Sequence, residues 1–378
     1  MKKKQLLAGL IALVALAILL AWGRRHIHFD FGIFVSQIRL ADWTRIGLGV
    51  ACIYIGYLFR SARWALLLRH HKKVPLLSLT GTQVMGFTAV ALIGRVADPV
   101  RPYLVTRRTG VPLSTQIAVY IVERLFDFGS MAVVISLALL WIPYPQTAAA
   151  TAHSNLIARL LAPLLHHYPI IGTILTRFGA LLVTLIAVLF LVFMRLSGLT
   201  VARFFEHGLG PIAYGLGRSI GDKIRTFHSG LGAVRDLADF SLAASISLAM
   251  WALIAAAYLE TARAFVASPA LASISVPKVI LLMAISGGVS IFQLPILGWF
   301  SQIAFVAAAL TSFFGAAPEA ATACAATLLL VTFISIIPVG LVWAQLEDVS
   351  LRTVAAESEE AEEALEVQEA GSPASGQN

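Results

Sequence analysis

Three ionisable residues stand inside an otherwise apolar stretch, VYIVERLFDFGSM over residues 119–131: Glu123, Arg124 and Asp127. Glu123 and Asp127 are one helical turn apart and so share a face. Two carboxylates there repel, and a cation must sit between or opposite them for both to stay ionised. Arg124 can pair locally with Asp127 at i,i+3. For Glu123 the nearest cations in sequence are Arg95 and Arg101, which flank the tip of a broken apolar segment, 76–99. Arginines held by carboxylates in this way can receive an anionic group. The same spacing also describes an ion-pair cluster that only pins one helix to another, and spacing alone leaves both readings open.

No other constellation suggests chemistry. His26 and His28, His70 and His71, and His166 and His167 stand at the edges of apolar runs without a partner at zinc-ligand spacing. Cys52 and Cys324 lie singly in apolar runs, so no disulfide framework is expected. There is no Walker loop and no dinucleotide fingerprint. We expect no catalytic residue, no metal and no cofactor.

The elements that must position the charged residues follow from composition. Of 378 residues, 58% are apolar and 13% charged, with a mean hydropathy of +0.84. Soluble domains carry about 25% charged residues, so a soluble enzyme, a disordered chain and a nucleic-acid-binding domain are all excluded. The fold class is all-α, a polytopic helical membrane protein. The net charge of +8 is divided unevenly: residues 347–378 hold nine acidic residues and one Arg, leaving 27 Lys+Arg against 11 Asp+Glu over 1–346. A basic body of this kind reflects loops kept beside anionic lipid and not nucleic-acid binding.

Apolar runs of spanning length fall near 5–22, 43–59, 117–142, 174–194, 239–262 and 320–345. The first follows Lys2, Lys3 and Lys4 as a signal peptide would, but it ends in Trp22-Gly23-Arg24-Arg25 without a small-x-small site, so a retained helix is expected. The second run ends in a dense basic turn, Arg60, Arg63, Arg69, Lys72 and Lys73, which the positive-inside rule places in the cytoplasm. Two stretches, 76–99 and 277–316, are interrupted by Gly, Pro, Ser, Thr and Gln. If 76–99 crossed, Arg101, Arg107 and Arg108 would lie outside, against the charge rule. A re-entrant hairpin resolves this, and such broken backbone is tolerated where protein or a wet cavity surrounds it. The expectation is six spanning helices plus two re-entrant elements, with eight spanning helices as the alternative, and both termini cytoplasmic.

Each half then runs span, span, re-entrant, span, and the halves start from opposite sides. That is an inverted repeat, with halves at about 1–142 and 169–346. An echo in sequence agrees: Asp98 is followed by Gly110 and Pro112, and Gln302 is followed at nearly the same spacing by Gly315 and Pro318. Residues 195–238 alternate apolar and basic positions at helical spacing. They suit amphipathic helices on the cytoplasmic leaflet, or a hairpin packed under the bundle. Residues 347–378 read as an acidic, disordered tail.

The stretch GRVADPVRPYLVTRRTGVPLSTQIAVYIVERLFDFGS resembles the hallmark of the lysylphosphatidylglycerol synthase transmembrane (flippase-like) family. The matching positions are Gly94, Arg95, Asp98, Arg101, Gly110, Glu123, Arg124 and Asp127. A second motif, LPILGWFSQIAFVAAALTSFFGAAPEAA, resembles the family's Pro/Gly-rich turn in the second half, through Pro295, Gly298 and Gln302. The chain departs from the family twice. Asp98 replaces the usual Glu, and Gln302, after Leu297-Gly298-Trp299-Phe300, stands where an acidic residue is usual. The resemblance implies a bacterial inner-membrane protein that binds or flips lipids. Bifunctional relatives add a soluble lysyltransferase domain, and the short tail that follows residue 346 is not expected to supply one.

Three functions fit. The chain is a lipid translocator acting on an anionic phospholipid or a polyprenyl-linked headgroup. Alternatively it is a non-transporting membrane partner of a separate transferase subunit. The third is a membrane-embedded lipid transferase, for which Glu123 and Asp98 are the available acid or base groups. Its partners on the first reading are membrane lipids, with no nucleic acid.

Overall fold

The structure, a computed structural model, describes residues 29–94, 97–141, 236–289 and 297–350, with single positions over 182–204 and 353–360. The span expected at 5–22, the loop 143–168, and most of the span 174–194 and of segment 195–238 lie outside the described residues. So do Arg95 and Pro295.

The chain is all-α among the described residues. A short α1 (Phe31–Arg39) leads into α2 (Trp43–Leu68), whose first turn is capped by Asp42, accepting from Thr44 N at 3.0 Å and Arg45 N at 3.3 Å. Then come α3 (Leu76–Ile93), α4 (Val100–Thr109) and α5 (Leu113–Trp141). The second half holds α6 (Leu237–Arg263), a single turn α7 (Pro269–Ala272), α8 (Val276–Val289), α9 (Leu297–Phe314) and α10 (Pro318–Leu329). A five-residue π-turn, Leu330–Ile334, joins α10 to α11 (Ile336–Leu346). Helices α2, α3, α5, α6 and the continuous α10–α11 rod are long and apolar enough to cross a membrane. The protein is a polytopic helical membrane protein.

Helices α2 and α6 form the antiparallel centre of the bundle. Their contacts run in opposite order along the two helices. Asp42 N bonds Ala264 O at 2.8 Å, Arg45 pairs with Glu260 at 2.8 Å, Arg63 reaches Ser247 at 2.6 Å, and Arg69 and His70 both meet Asp239. The other packing is paired in the same sense. The rod α10–α11 lies on α3 of the first half, and α5 lies on α8 of the second. Gly110 and Gly315 end α4 and α9 at φ +70° and +71°, a left-handed conformation that glycine adopts without strain. Each is followed by a proline and a spanning helix, as the sequence echo anticipates.

Two expectations need correction. The run that starts at Trp43 does not stop at Phe59: α2 continues to Leu68, so Arg60 and Arg63 belong to a helix and not to a basic turn. Nor is 76–93 interrupted. Thr80 and Thr82 return their hydroxyl protons to carbonyls four residues back, at 2.9 and 3.1 Å, and the small residues serve close packing. Gly81 lies under the Trp343 indole and Gly86 against the Arg101 stem, with no room for a Cβ at either. The break comes only after Gly94. From there α4 folds back antiparallel, until Lys72 Nζ at the start of the hairpin bonds Thr109 O at its end, 2.7 Å away. The hairpin therefore begins and ends at one level. In the second half α8 and α9 make the equivalent hairpin, with Lys278 at its start over the Phe314 ring at its end, 5.9 Å to the centroid.

The tail also differs from expectation in its first residues. Asp348 (φ +55°) turns the chain back over the α3–α4 hairpin. Val354 is 2% exposed among Met85, Val100 and Leu104. Glu347 takes Arg108 at 2.6 Å and the Trp343 indole at 2.7 Å, and Glu357 meets Tyr103 at 3.1 Å and Arg107 at 3.3 Å. A buried valine and paired glutamates order what net charge alone predicts to be loose.

The hairpin geometry predicts that cysteines at the exposed positions 73 and 107, on a background lacking Cys52 and Cys324, label from the same side of the membrane. Labelling from opposite sides would contradict the fold-back. Close packing predicts that Gly340→Val, which drives a side chain into Thr88, lowers stability by about 1–3 kcal/mol, read as a fall in the thermal midpoint of the detergent-solubilised protein.

Candidate functional site

Helical periodicity places the charged residues. On α2, Ile53, Tyr57, Arg60, Trp64 and Leu67 recur at three and four residues, so the arginines follow the buried stripe inward, with Arg63 beside it. On α5, Gln116, Tyr120, Glu123, Arg124 and Asp127 project towards the same place from successive turns. The fold-back of α4 on α3 brings Arg101 beside Gln83, and α6 adds Ser247.

Glu123 is wholly buried and accepts from four guanidinium groups. Arg101 Nη2 is 2.8 Å from Oε2, and Arg63 Nη2, Arg60 Nη1 and Arg124 Nη2 lie at 2.9, 3.1 and 3.1 Å from Oε1. Asp127, one turn on, meets Arg63 at 2.8 Å, Arg124 at 3.0 Å and Arg60 at 3.5 Å. An isolated carboxylate at this depth would be very costly. Pairing with several charge-assisted donors offsets that cost, because the attraction is also stronger where water is excluded.

The arginines are held by neutral groups as well. Arg101 Nε donates to Gln83 Oε1 at 2.9 Å. Its guanidinium stands 4.4 Å from the Phe87 ring centroid, 5.3 Å from Trp64 and 5.4 Å from Tyr120, an aromatic box that favours a desolvated cation. Trp64 is itself fixed by its indole N–H to Gln116 Oε1 at 3.1 Å. Arg60 lies over Phe87 at 4.9 Å and Arg124 over Tyr120 at 5.2 Å.

Four cations thus surround two carboxylates, and the cluster carries an excess of positive charge. That excess is presented in one direction. A cavity of about 220 Å³ opens beside it at the centre of the bundle, lined on this side by Arg60, Arg124 and Asp98. Arg63 and Arg101 do not line it; they stand behind, wholly buried against Glu123. Tyr258, Ser286 and Gln302 of the second half also line the cavity, together with Thr332 and Phe333 of the π-turn. The π-turn shifts the hydrogen-bond ladder, and neighbouring helices satisfy the freed carbonyls: Tyr54 bonds Ser335 O at 2.8 Å and Thr88 bonds Ile336 O at 3.3 Å.

Of the residues singled out in the sequence, Arg101, Glu123, Arg124 and Asp127 meet in one cluster, with Asp98 on the cavity beside it. Arg95 and Pro295 lie outside the described residues. Gly298 is buried at the start of α9. Gln302 joins no ion pair among the described residues: its Nε2 donates to Ser286 Oγ at 3.0 Å on the other side of the cavity. Arg60, Arg63 and Gln83 escape the sequence reading. Their signal is helical phase, since Arg60 and Arg63 continue the inward stripe of α2 past the end of its apolar run.

The geometry predicts that Glu123→Gln, which leaves four arginines around one carboxylate, destabilises the folded protein by about 3–5 kcal/mol, measured by denaturation in detergent. Adding Arg101→Gln removes one stranded cation and recovers part of the loss. Strictly additive losses would show that the two side chains are not coupled.

No curated protein and no solved structure matched this chain. A family model did match, that of the lysylphosphatidylglycerol synthase TM region, over residues 5–340. That match covers most of the sequence, and the chain belongs to the lysylphosphatidylglycerol synthase TM region family.

Proposed function

We propose that the protein moves a lipid between leaflets by admitting its anionic headgroup to the central cavity, where Arg60 and Arg124 receive it. The observation that carries this reading is the division of the arginine cluster. Arg63 and Arg101 are consumed in holding Glu123 and Asp127, whereas Arg60 and Arg124 both pair with those carboxylates and face open space. Their side chains keep 11% and 27% exposure, against none or 1% for the other two. The sequence points to Arg95 and Arg101 for docking. Arg101 could reach a ligand only by abandoning Glu123, so the task passes to the arginines of α2 and α5. The setting supports transport over simple recruitment: the cavity lies between two antiparallel halves, each with a broken element at its wall, the arrangement that lets a site open alternately to either side.

On the same reading the protein lies in the bacterial inner membrane with both termini in the cytoplasm. The charge bias motivates this, because Lys72, Lys73, Arg107 and Arg108 gather at the mouth of the first hairpin.

The test is purified protein in liposomes with a leaflet-resolved, labelled anionic phospholipid. Wild type equilibrates the label. Arg60→Gln and Arg124→Gln each slow it about tenfold or more, the loss expected for one charge-assisted hydrogen bond, while circular dichroism shows the fold retained. Folded variants with unchanged rates would overturn the assignment of these two arginines.

A further inference from the structure

The start of the tail acts as a strap between parts of the fold that a moving hairpin would have to separate. Glu347 Oε1 accepts from Trp343 of α11 at 2.7 Å and from Arg108 of α4 at 2.6 Å, so one oxygen ties the second half's rod to the first half's hairpin. Further along, Glu357 takes Tyr103 and Arg107 of α4 at 3.1 and 3.3 Å. Between these anchors Val354 enters an apolar cluster with Met85 and Val90 of α3, Leu104 of α4 and Ala344 of α11, and Phe333 packs against it. Val90 and Phe333 also line the central cavity. The strap therefore bears on the back of the cavity wall.

Its attachment is weak for what it joins. The side chains of Arg107 and Glu357 are 56% and 41% exposed, and those of Arg108 and Glu347 are 35% and 23% exposed. Ion pairs this open to solvent contribute little and are screened by salt. A cavity of about 180 Å³ remains under the strap, between Thr82, Met85, Val349 and the two arginines, where a permanent core would be close-packed. One buried valine and two half-exposed ion pairs make a contact that a competing anion can open.

The mouth of the hairpin indicates the competitor. Lys72 and Lys73 are exposed there, and Lys72 is held to Thr109 O at 2.7 Å, next to Arg107 and Arg108. Leu76 and Leu77, which follow at the start of α3, are 44% and 68% exposed. Cations beside bare leucines suit a surface at the headgroup level of a bilayer, with apolar side chains at the acyl boundary and charges on anionic lipid. A soluble anion gains nothing from the leucines. An anionic surface acts on the strap twice: it attracts Arg107 and Arg108, and it repels a tail that carries Glu357, Glu359 and Glu360.

We propose that the strap is a lock on the first hairpin, and that anionic lipid opens it by taking Arg107 and Arg108 from Glu357 and Glu347. With the strap in place α4 is tied to α11, and the wall at Val90 and Phe333 is fixed. With it released, the hairpin that carries Arg101 moves independently of the rod. The lock acts on the hairpin whatever the cavity carries.

The test measures amide hydrogen exchange of the full-length protein at constant ionic strength, in nanodiscs of phosphatidylcholine alone or with phosphatidylglycerol added. The anionic lipid is expected to speed exchange over 347–357 about fivefold, the combined effect of two half-exposed ion pairs, and to speed it also over α4 and the π-turn. Exchange over α8, away from the strap, stays the same and reports that the protein is folded. Glu347→Gln with Glu357→Gln, and separately Arg107→Gln with Arg108→Gln, give the faster exchange in neutral discs and no response to phosphatidylglycerol. Glycerol phosphate in solution leaves the strap protected. Equal exchange of wild type in the two discs, or a rise confined to 347–357 while α4 and the π-turn stay slow, overturns the lock. Equal release by soluble glycerol phosphate overturns lipid as its opener.

Discussion

Two carboxylates one turn apart cannot remain inside an apolar bundle unless cations come to them, and much of the first half is arranged to deliver those cations. Helix α2 carries its helical geometry beyond the end of its hydrophobic run so that Arg60 and Arg63 arrive from one side. The chain after α3 turns back on Gly94 so that Arg101 arrives from another, and Gly86 stays bare to let the Arg101 stem pass. The aromatic rings around Arg101 and the amide of Gln83 then occupy the faces of the guanidinium that the carboxylates leave open. The ion pairs add little net stability once desolvation is counted. Breaking one of them is costly, because it leaves the opposite charge buried and uncompensated.

The second half shows what the same backbone does without that requirement. Its hairpin docks through Tyr258, Ser286 and Gln302, whose neutral hydrogen bonds carry a smaller desolvation cost than ions do. The large apolar cluster around α8, α9 and α10 supplies the remaining adhesion. The two halves are therefore alike in path and unlike in what a small molecule between them would meet. Two hairpins of equal chemistry would present the same surface to both ends of a ligand; these two differ.

Much of this is legible in the sequence, for identifiable reasons. The membrane class follows from hydropathy, and the pairing of Glu123 with Arg101 follows from the rule that like charges on one face need an opposite one. The echo of Asp98, Gly110 and Pro112 in Gln302, Gly315 and Pro318 reaches the backbone, where Gly110 and Gly315 share one conformation. Arg60 and Arg63 are lost because charge statistics treat arginines after an apolar run as loop residues, whereas helix phase continues through them. The unbroken α3 is lost because Gly, Ser and Thr read as interruptions in sequence. In a packed membrane helix they are the residues that permit close approach or return their protons to the backbone. The order in the first turns of the tail rests on one buried valine and on two ion pairs between distant parts of the chain. No local pattern announces contacts of that range.

Those long-range pairs have a temporal side. Arg107 and Arg108 are separated from Glu357 and Glu347 by 250 and 239 residues. At roughly 5–20 residues per second of synthesis, the acidic partners emerge some ten to fifty seconds after the arginines. During that interval the first hairpin is threaded with both guanidinium groups uncompensated, and free positive charge is what orients a nascent segment in the bilayer. Once the glutamates arrive the charge is covered and Val354 closes over the hairpin's apolar side. The same two arginines are thus free of these partners while the chain is short and paired with them in the finished molecule.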